Sequence, residues 1–300
     1  MIEIEAVTKV FRRTRVLDAL SLTIESGDRI ALIGSNGAGK TTLIRCLLGE
    51  YTHGGTIHVD GKEPRHDRHG VLGDIGFVPQ LPPPLKMPVR DLVRFAATVC
   101  DGDRGEIARI ATDLGLDLEE IGSRPFFKLS GGQKQRILVA TALGRPVRRL
   151  IPDEPTANLD PAARRVLFRL LAERTNMPMI ISSHRLDEIA GLVNRVVEID
   201  RGRVVLDDRV EEAGDAAAVQ KCRLVTARTD EAFAKAIAEW GFSGSDEDRV
   251  WRGEVAGPDR MRFLGMLARY AGLLADIELA DKARGGAGPA GPSGPGAAGS

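Results

Sequence analysis

Cysteine is scarce in this 300-residue chain. Only Cys46, Cys100 and Cys222 occur, far apart and with no CxxC spacing, which argues against a zinc site or a disulfide framework and suits a reducing compartment. The three read as buried or inert thiols. Net charge is missing too: 42 Lys plus Arg balance 42 Asp plus Glu, so no global field would hold nucleic acid or an anionic membrane by counterion release. Long apolar runs are also absent, none approaching the roughly 18 residues a spanning helix needs. The opening Met1-Ile2-Glu3-Ile4-Glu5 has neither a basic nor an apolar leader region. These absences predict a cytosolic chain whose contact with a membrane is indirect, through a partner.

What is present is a globular composition, 43% hydrophobic, enough for about two domains with buried cores. Three motifs follow one another in order. Residues Gly34-Ser35-Asn36-Gly37-Ala38-Gly39-Lys40-Thr41 have the form G-x-x-x-x-G-K-T. Residues 129–133 read Leu-Ser-Gly-Gly-Gln, and Asp153-Glu154 closes an apolar stretch.

The chemistry of the first follows from its residues. A nucleoside triphosphate concentrates negative charge that needs several N–H donors at close range, and side chains at the loop positions would obstruct it. Gly34, Gly37 and Gly39 leave the backbone free to form an anion nest at a helix N-terminus. Lys40 would reach the β and γ phosphates, and the Thr41 hydroxyl would ligate Mg2+. Asp153 would hold that Mg2+, directly or through water, and Glu154 would polarise the attacking water.

The surrounding pattern alternates. Strand-like pieces at 2–6, 20–24, 28–33, 56–59, 75–78, 150–151 and 179–182 are separated by helical segments at 40–48, 133–143 and 161–174, with a helical insert over 89–122. Such alternation implies a largely parallel sheet covered by helices on both faces. A second pattern, strand 222–226, helix 230–240, strand 249–255, helix 259–270 and strand 273–279, predicts a small α+β domain. From Ala283 the composition collapses to Gly, Ala, Pro and Ser, which predicts a disordered tail over 283–300.

In this order and spacing the motifs resemble the nucleotide-binding subunit of an ATP-binding cassette (ABC) transporter, over about residues 1–210. The resemblance implies a P-loop NTPase of α/β class with a mixed, largely parallel core sheet, an antiparallel β edge and a helical subdomain near 89–145, followed by the α+β domain at 220–281. It makes Ser130, Gly131, Gly132 and Gln133 a signature loop, Gln80 the Q-loop glutamine, placed both with the catalytic residues and with Thr41 and Asp153 at the metal, Asp160 the D-loop aspartate among the nucleotide-binding residues, and His184 a switch histidine, catalytic together with Glu154. Asn36 and Thr42 join the phosphate loop, and Phe11 falls where an aromatic stacks on adenine.

The implied activity is hydrolysis of ATP with Mg2+, coupled to transport. The implied partners are a second copy, paired head to tail so that each ATP lies between one phosphate loop and the other signature loop, and separate transmembrane permease subunits. The resemblance is strongest to single-cassette exporter ATPases with a small C-terminal domain, which makes export the expected direction. The alternative is a soluble cassette ATPase acting on ribosomes or DNA, which the balanced charge and the single cassette disfavour; a binding module without hydrolysis would lack Lys40, Glu154 or Ser130.

Two local features stand out. Arg149-Leu150-Ile151-Pro152 puts a proline in what should be a central strand, and the expectation is that its missing donor is not needed at the strand's end. Leu81-Pro82-Pro83-Pro84-Leu85-Lys86-Met87-Pro88 presets an extended surface after Gln80, in the region where the family meets its permease. The run Arg65-His66-Asp67-Arg68-His69 reads as a solvated loop rather than a metal site.

Overall fold

A computed structural model describes residues 1–175, 177–209, 219–245, 247, 249–256 and 259–281. In chain order its elements are β1 (Ile2–Phe11), β2 (Thr14–Ile24), β3 (Arg29–Ile33), α1 (Lys40–Leu47), β4 (Gly54–Val59), α2 (Arg68–Leu72), β5 (Ile75–Val78), α3 (Val89–Val99), α4 (Arg104–Asp113), α5 (Leu118–Ile121), α6 (Gly131–Leu143), β6 (Arg149–Pro152), α7 (Pro161–Ala172), β7 (Met179–Ser182), α8 (Leu186–Ile189), β8 (Arg195–Asp200) and β9 (Arg203–Arg209). They continue as β10 (Val219–Thr226), α9 (Glu231–Glu239), β11 (Ser243–Ser245), β12 (Val250–Ala256), α10 (Arg260–Ala268) and β13 (Leu274–Asp281). Contacts divide these elements into two compact units.

The first unit holds two sheets. Six strands in the order β5-β6-β7-β3-β8-β9 form the central one, parallel except for the last, antiparallel pair. β3 and β7 lie at its middle and are apolar and buried along almost their whole length, as strands covered on both faces are. A separate antiparallel sheet, β2-β1-β4, packs its alternating Ile2, Ile4, Leu20, Leu22 and Ile57 into the same core. The expected helical insert divides into α3, α4 and α5, and Asp103 and Asp117 start the second and third by accepting backbone N–H bonds.

The run at 65–69 serves the backbone. Asp67 caps α2, accepting from the Gly70 N–H, and pairs with Lys62. Among the described residues no three potential ligands converge as a metal cluster. Nor is any helix among them long and apolar enough to cross a membrane. Cys46 and Cys222 are buried and unpaired, and burial pushes their thiols up to about 11 and about 12.

Pro152 is the last residue of β6, and one bridge of the ladder lies beyond it. β6 sits between β5 and β7, so both of its edges are paired. Asp153 N–H donates to the Val78 carbonyl at 2.8 Å, whereas Leu150 N–H and Glu154 N–H donate towards β7, to the Pro178 and Ser182 carbonyls at 3.0 and 3.2 Å. By that alternation the missing donor of residue 152 faces the Ile180 carbonyl. The regular β6–β7 pairing is accordingly confined to Leu150 opposite Met179, and it resumes as a single bridge at Asp153 opposite Ser182. The bonds on either side of the gap hold the carboxylate pair in register. Pro152→Val should therefore raise the midpoint of thermal unfolding, by the equivalent of about 1 kcal/mol for one restored hydrogen bond, with little change in turnover. A variant that unfolded earlier would show that the proline is better accommodated than its ladder suggests.

The second unit is a four-stranded antiparallel sheet in the order β11-β12-β10-β13. With strands numbered in chain order this is 2-3-1-4, the order of a split β-α-β sheet. Cys222 and Leu224 of β10, with Trp251 and Val255 of β12, alternate into its buried face alongside Phe233 and Ile237 of α9. The short β11 was not expected from sequence. The helix expected at 259–270 forms as α10, but its contacts join it to the first unit. The expected tail at 283–300 lies outside the described residues.

Candidate functional site

β3 delivers the glycine loop. Its last residue, Ile33, is buried, and the chain turns at Gly34 with φ of +143°. A Cβ on Gly34 would stand 2.2 Å from the Ile199 carbonyl oxygen of β8, so glycine here lets the loop leave the sheet against its neighbour. At Gly37 a Cβ would meet nothing within 4 Å, and the requirement is the backbone's own φ of +86°. The sequence argument, that side chains would obstruct the ligand, thus has a second cause in the chain's own packing.

α1 begins at Lys40, which is only 7% exposed. Its Nζ donates to two carbonyls of the loop itself, Gly34 at 2.7 Å and Ser35 at 3.3 Å. Burial lowers the pKa of this ammonium, while Glu154 and then Asp153 oppose the shift. The lysine lines a cavity of about 300 Å³ together with Asn36, Gly37, Thr41, Thr42, Gln80 and Glu154. A desolvated cation bonded only to neutral carbonyls, beside an open cavity, fits an anion such as a phosphate chain.

The carboxylates are fixed by β7. Ser182, fully buried at its end, donates from Oγ to Asp153 Oδ1 at 2.5 Å and accepts the Glu154 N–H at 3.0 Å. Glu154 has φ of +47°, a left-handed backbone unusual outside glycine, which turns its side chain out of the strand direction. Its Oε2 lies 2.8 Å from Nδ1 of His184. Asp153 and Glu154 are 2% and 7% exposed. Two adjacent buried carboxylates call for a countercharge, and with Thr41 and Gln80 they offer the hard oxygen donors that suit Mg2+.

A second group lies at the start of α6. Ser130 caps that helix: its Oγ accepts the Gln133 N–H at 3.2 Å, and the Gln133 side chain accepts the Ser130 N–H at 3.1 Å. This reciprocal box uses up the Gln133 side-chain oxygen. Asp160 caps α7 through the Ala163 N–H at 2.9 Å and pairs with Arg136, and both contacts lower its pKa. A Cβ on Gly132 would come within 2.8 Å of the Asn158 carbonyl oxygen, so this glycine lets the α6 start pack on the loop that leads to Asp160.

The predicted residues therefore gather in two places. Lys40, Thr41, Gln80, Asp153, Glu154 and His184 surround or adjoin the cavity. Ser130, Gly131, Gly132 and Asp160 form another group that does not line it. Phe11 joins neither: 39% exposed, its ring meets Tyr51 edge-on with centroids 5.2 Å apart, and Lys9 Nζ lies 4.8 Å from its centroid.

Sequence reasoning missed Val16, which lines the phosphate cavity, and Ser182, which anchors both carboxylates. A polar pair, Ser182-Ser183, ending an apolar strand beside His184 was the available signal. Val16 carried none, since an aliphatic residue in a strand reads as core.

The profile of the family described as ABC transporter matches residues 17–157. The tungstate uptake system ATP-binding protein of Peptoclostridium acidaminophilum is 32% identical over 209 residues, 68% of this chain and 96% of that protein. The methionine import ATP-binding protein of Bartonella henselae is 28% identical over 308 residues, 92% of this chain and 85% of its own length. Among solved structures, a dimeric ATP-binding cassette in a post-hydrolysis state, bound to ADP and Pi, aligns with a TM-score of 0.62 at 21% identity, over 70% of this chain and 98% of that one.

Proposed function

The chain belongs to the ABC transporter ATP-binding cassette family, and on that premise we propose that it drives a membrane permease by closing with a second copy around ATP and reopening after hydrolysis. Its family activity is ATP hydrolysis with Mg2+. The observation that carries the reading to these residues is the convergence on one cavity of a buried ammonium, Lys40, and a buried carboxylate, Glu154, whose Oε2 meets the exposed His184 imidazole at 2.8 Å.

Lys40 exchanges its loop carbonyls for phosphate oxygens, and the N–H groups around Gly37 and Gly39 take the remaining charge. Thr41, Gln80 and Asp153 are the residues that would hold Mg2+, which when bound neutralises charge on the phosphate oxygens. Glu154 accepts a proton from the attacking water, and His184, hydrogen-bonded to its Oε2, orients that carboxylate. Ser130, Gly131 and Gly132 reach the nucleotide held by the partner copy; as a capped helix start with its glycines exposed to approach, this group has the donors a phosphate needs. Asp160 acts with the same group, and Val16, which lines the cavity, takes the adenosine end; Phe11, whose ring packs on Tyr51, does not line it.

The permease-facing surface is the segment after Gln80. Leu81, Met87 and Phe127 are 75%, 37% and 43% exposed. Backbone bonds join the segments that carry Met87 and Phe127, Phe127 N–H to the Leu85 carbonyl at 3.0 Å and Phe126 N–H to the Met87 carbonyl at 2.9 Å. Exposed apolar residues gathered in this way mark a contact surface. Through it the chain would sit at the cytoplasmic face of a membrane. In this reading residues 1–210, with α10 built into the same unit, are the motor, and the rest of 220–281 is an accessory domain that supports pairing of the copies.

Direction is the finer part of the proposal. Export follows from the resemblance to single-cassette exporters, whereas the two relatives above are named for uptake and import; the cassette's chemistry is the same for both, and the permease sets the sign. Affinity capture of the Glu154→Gln chain from membranes in Mg-ATP should bring down a multispanning protein. Capture of ribosomal or DNA-bound proteins alone would overturn the transporter assignment. Reconstitution with that permease, ATP on the cassette side only, then gives the direction of flux.

A further inference from the structure

The catalytic cavity does not end at Glu154. A second cavity of about 430 Å³ shares Ser35, Asn36, Gln80 and Glu154 with the first and extends past His184, where its far side is lined by Arg269 and Gly272. Both come from far along the sequence, just after α10. That helix is built into the first unit: Phe263, Leu264 and Leu267 are buried at 0%, 2% and 2%, and α10 packs on α8, which starts two residues after His184. Its last turn is closed by Arg269 N–H to Met266 carbonyl and Tyr270 N–H to Leu267 carbonyl bonds of 3.2 and 2.8 Å. The helix therefore carries Arg269 to the His184 side of the cavity on a packed support.

Geometry gives the two cavities different contents. The first contains the glycine nest and the Lys40 ammonium, the place for the phosphate chain. The second, bounded by Asn36, Gln80, Glu154 and His184, is where the end of that chain meets the attacking water. Negative charge on the terminal phosphoryl oxygens is present there with ATP and gone with ADP. A guanidinium is the side chain best suited to phosphate oxygens, being always charged and able to donate two parallel bonds.

We propose that Arg269, delivered by α10, is an additional cation for the terminal phosphate in the chain's own cavity, making the segment after the cassette a reader of the nucleotide's γ-phosphate. This rests on the assignment of the Lys40 cavity to ATP. It explains why α10 is packed against α8 rather than left with the second unit: the helix next to the switch histidine and the arginine that meets the phosphate are fixed to one another.

The test is calorimetric titration of the full chain with Mg-ATP and Mg-ADP, in a Ser130→Arg background that obstructs pairing of two copies, so that each titration reports one cavity. Arg269→Ala should weaken ATP binding about tenfold, the scale of a charge-assisted contact, while ADP binding stays within about twofold, and Arg269→Lys should recover most of the loss. Equal weakening of ATP and ADP would show a structural role only, and no change in either would remove Arg269 from the site; both overturn the proposal. If instead the parent chain binds ATP no better than its Lys40→Ala form, the failure lies with the nucleotide assignment itself.

Discussion

Replacing Lys40 with Ala should abolish ATP-dependent behaviour without unfolding the chain. A charge-assisted hydrogen bond to phosphate is worth about 1.5–3 kcal/mol, so losing the ammonium weakens ATP binding by about a hundredfold if two such contacts form. Turnover at saturating ATP falls by at least a further hundredfold or so, because the same cation stabilises charge in the transition state. The effect on the empty protein has the opposite sign. Burial lowers the Lys40 pKa; a cation whose folded pKa is depressed costs stability at every pH below the ordinary lysine pKa, neutral pH included. Lys40→Ala should therefore melt no earlier than the parent when nucleotide is absent, and should lose the rise in melting temperature that ATP confers on the parent. Thermal unfolding with and without Mg-ATP separates the two effects. An Ala variant that kept the ATP-induced shift would show that the anion is held by the loop N–H groups alone.

Much of this site was legible because its chemistry is local. The glycine loop, Lys40 and Thr41 follow one another in sequence at the junction of β3 and α1, and Asp153-Glu154 follows an apolar strand, so spacing alone located both. The capping box of Ser130 and Gln133 is another local signal. What sequence could not supply was long-range contact. Ser182 anchors the carboxylates across 29 residues from Asp153, Val16 reaches the cavity from the second strand, and Arg269 comes from a helix that sequence grouped with the accessory domain.

The fold divides in the same way. Parallel strands buried on both faces announced themselves as apolar runs, whereas β11, three residues of Ser-Gly-Ser, carries no strand signal and exists only because β12 offers it an edge. Pro152 was expected at a strand's end, and it is the last residue of β6. What sequence could not show was the partner of the missing donor: the bonds of Leu150 and Glu154 to β7 place it opposite Ile180.

Glu154→Gln should separate binding from turnover more cleanly than any other single change, because it preserves shape and removes only the base. Two carboxylates compete for that role, and their surroundings decide between them. Asp153 spends one oxygen on the Ser182 hydroxyl and is 2% exposed, which leaves it suited to hold a cation rather than to accept a proton from water. Glu154 lines both cavities and shares one oxygen with His184, so its other oxygen is open to solvent-derived reactants. A Gln in its place can still meet Nδ1 of His184 yet cannot take a proton. General-base catalysis is worth about 10²–10⁴ in rate, so turnover should fall about a thousandfold while ATP binding is retained. With the terminal phosphate no longer removed, the contacts made through Ser130, Gly131 and Gly132 persist, and the chain should sediment as a dimer in Mg-ATP but as a monomer in ADP. Phosphate release and sedimentation on the same preparation check both parts. Near-normal hydrolysis would move the base role to His184, and a chain that stayed monomeric in ATP while unable to hydrolyse it would break the link between the carboxylate and the opening of the pair.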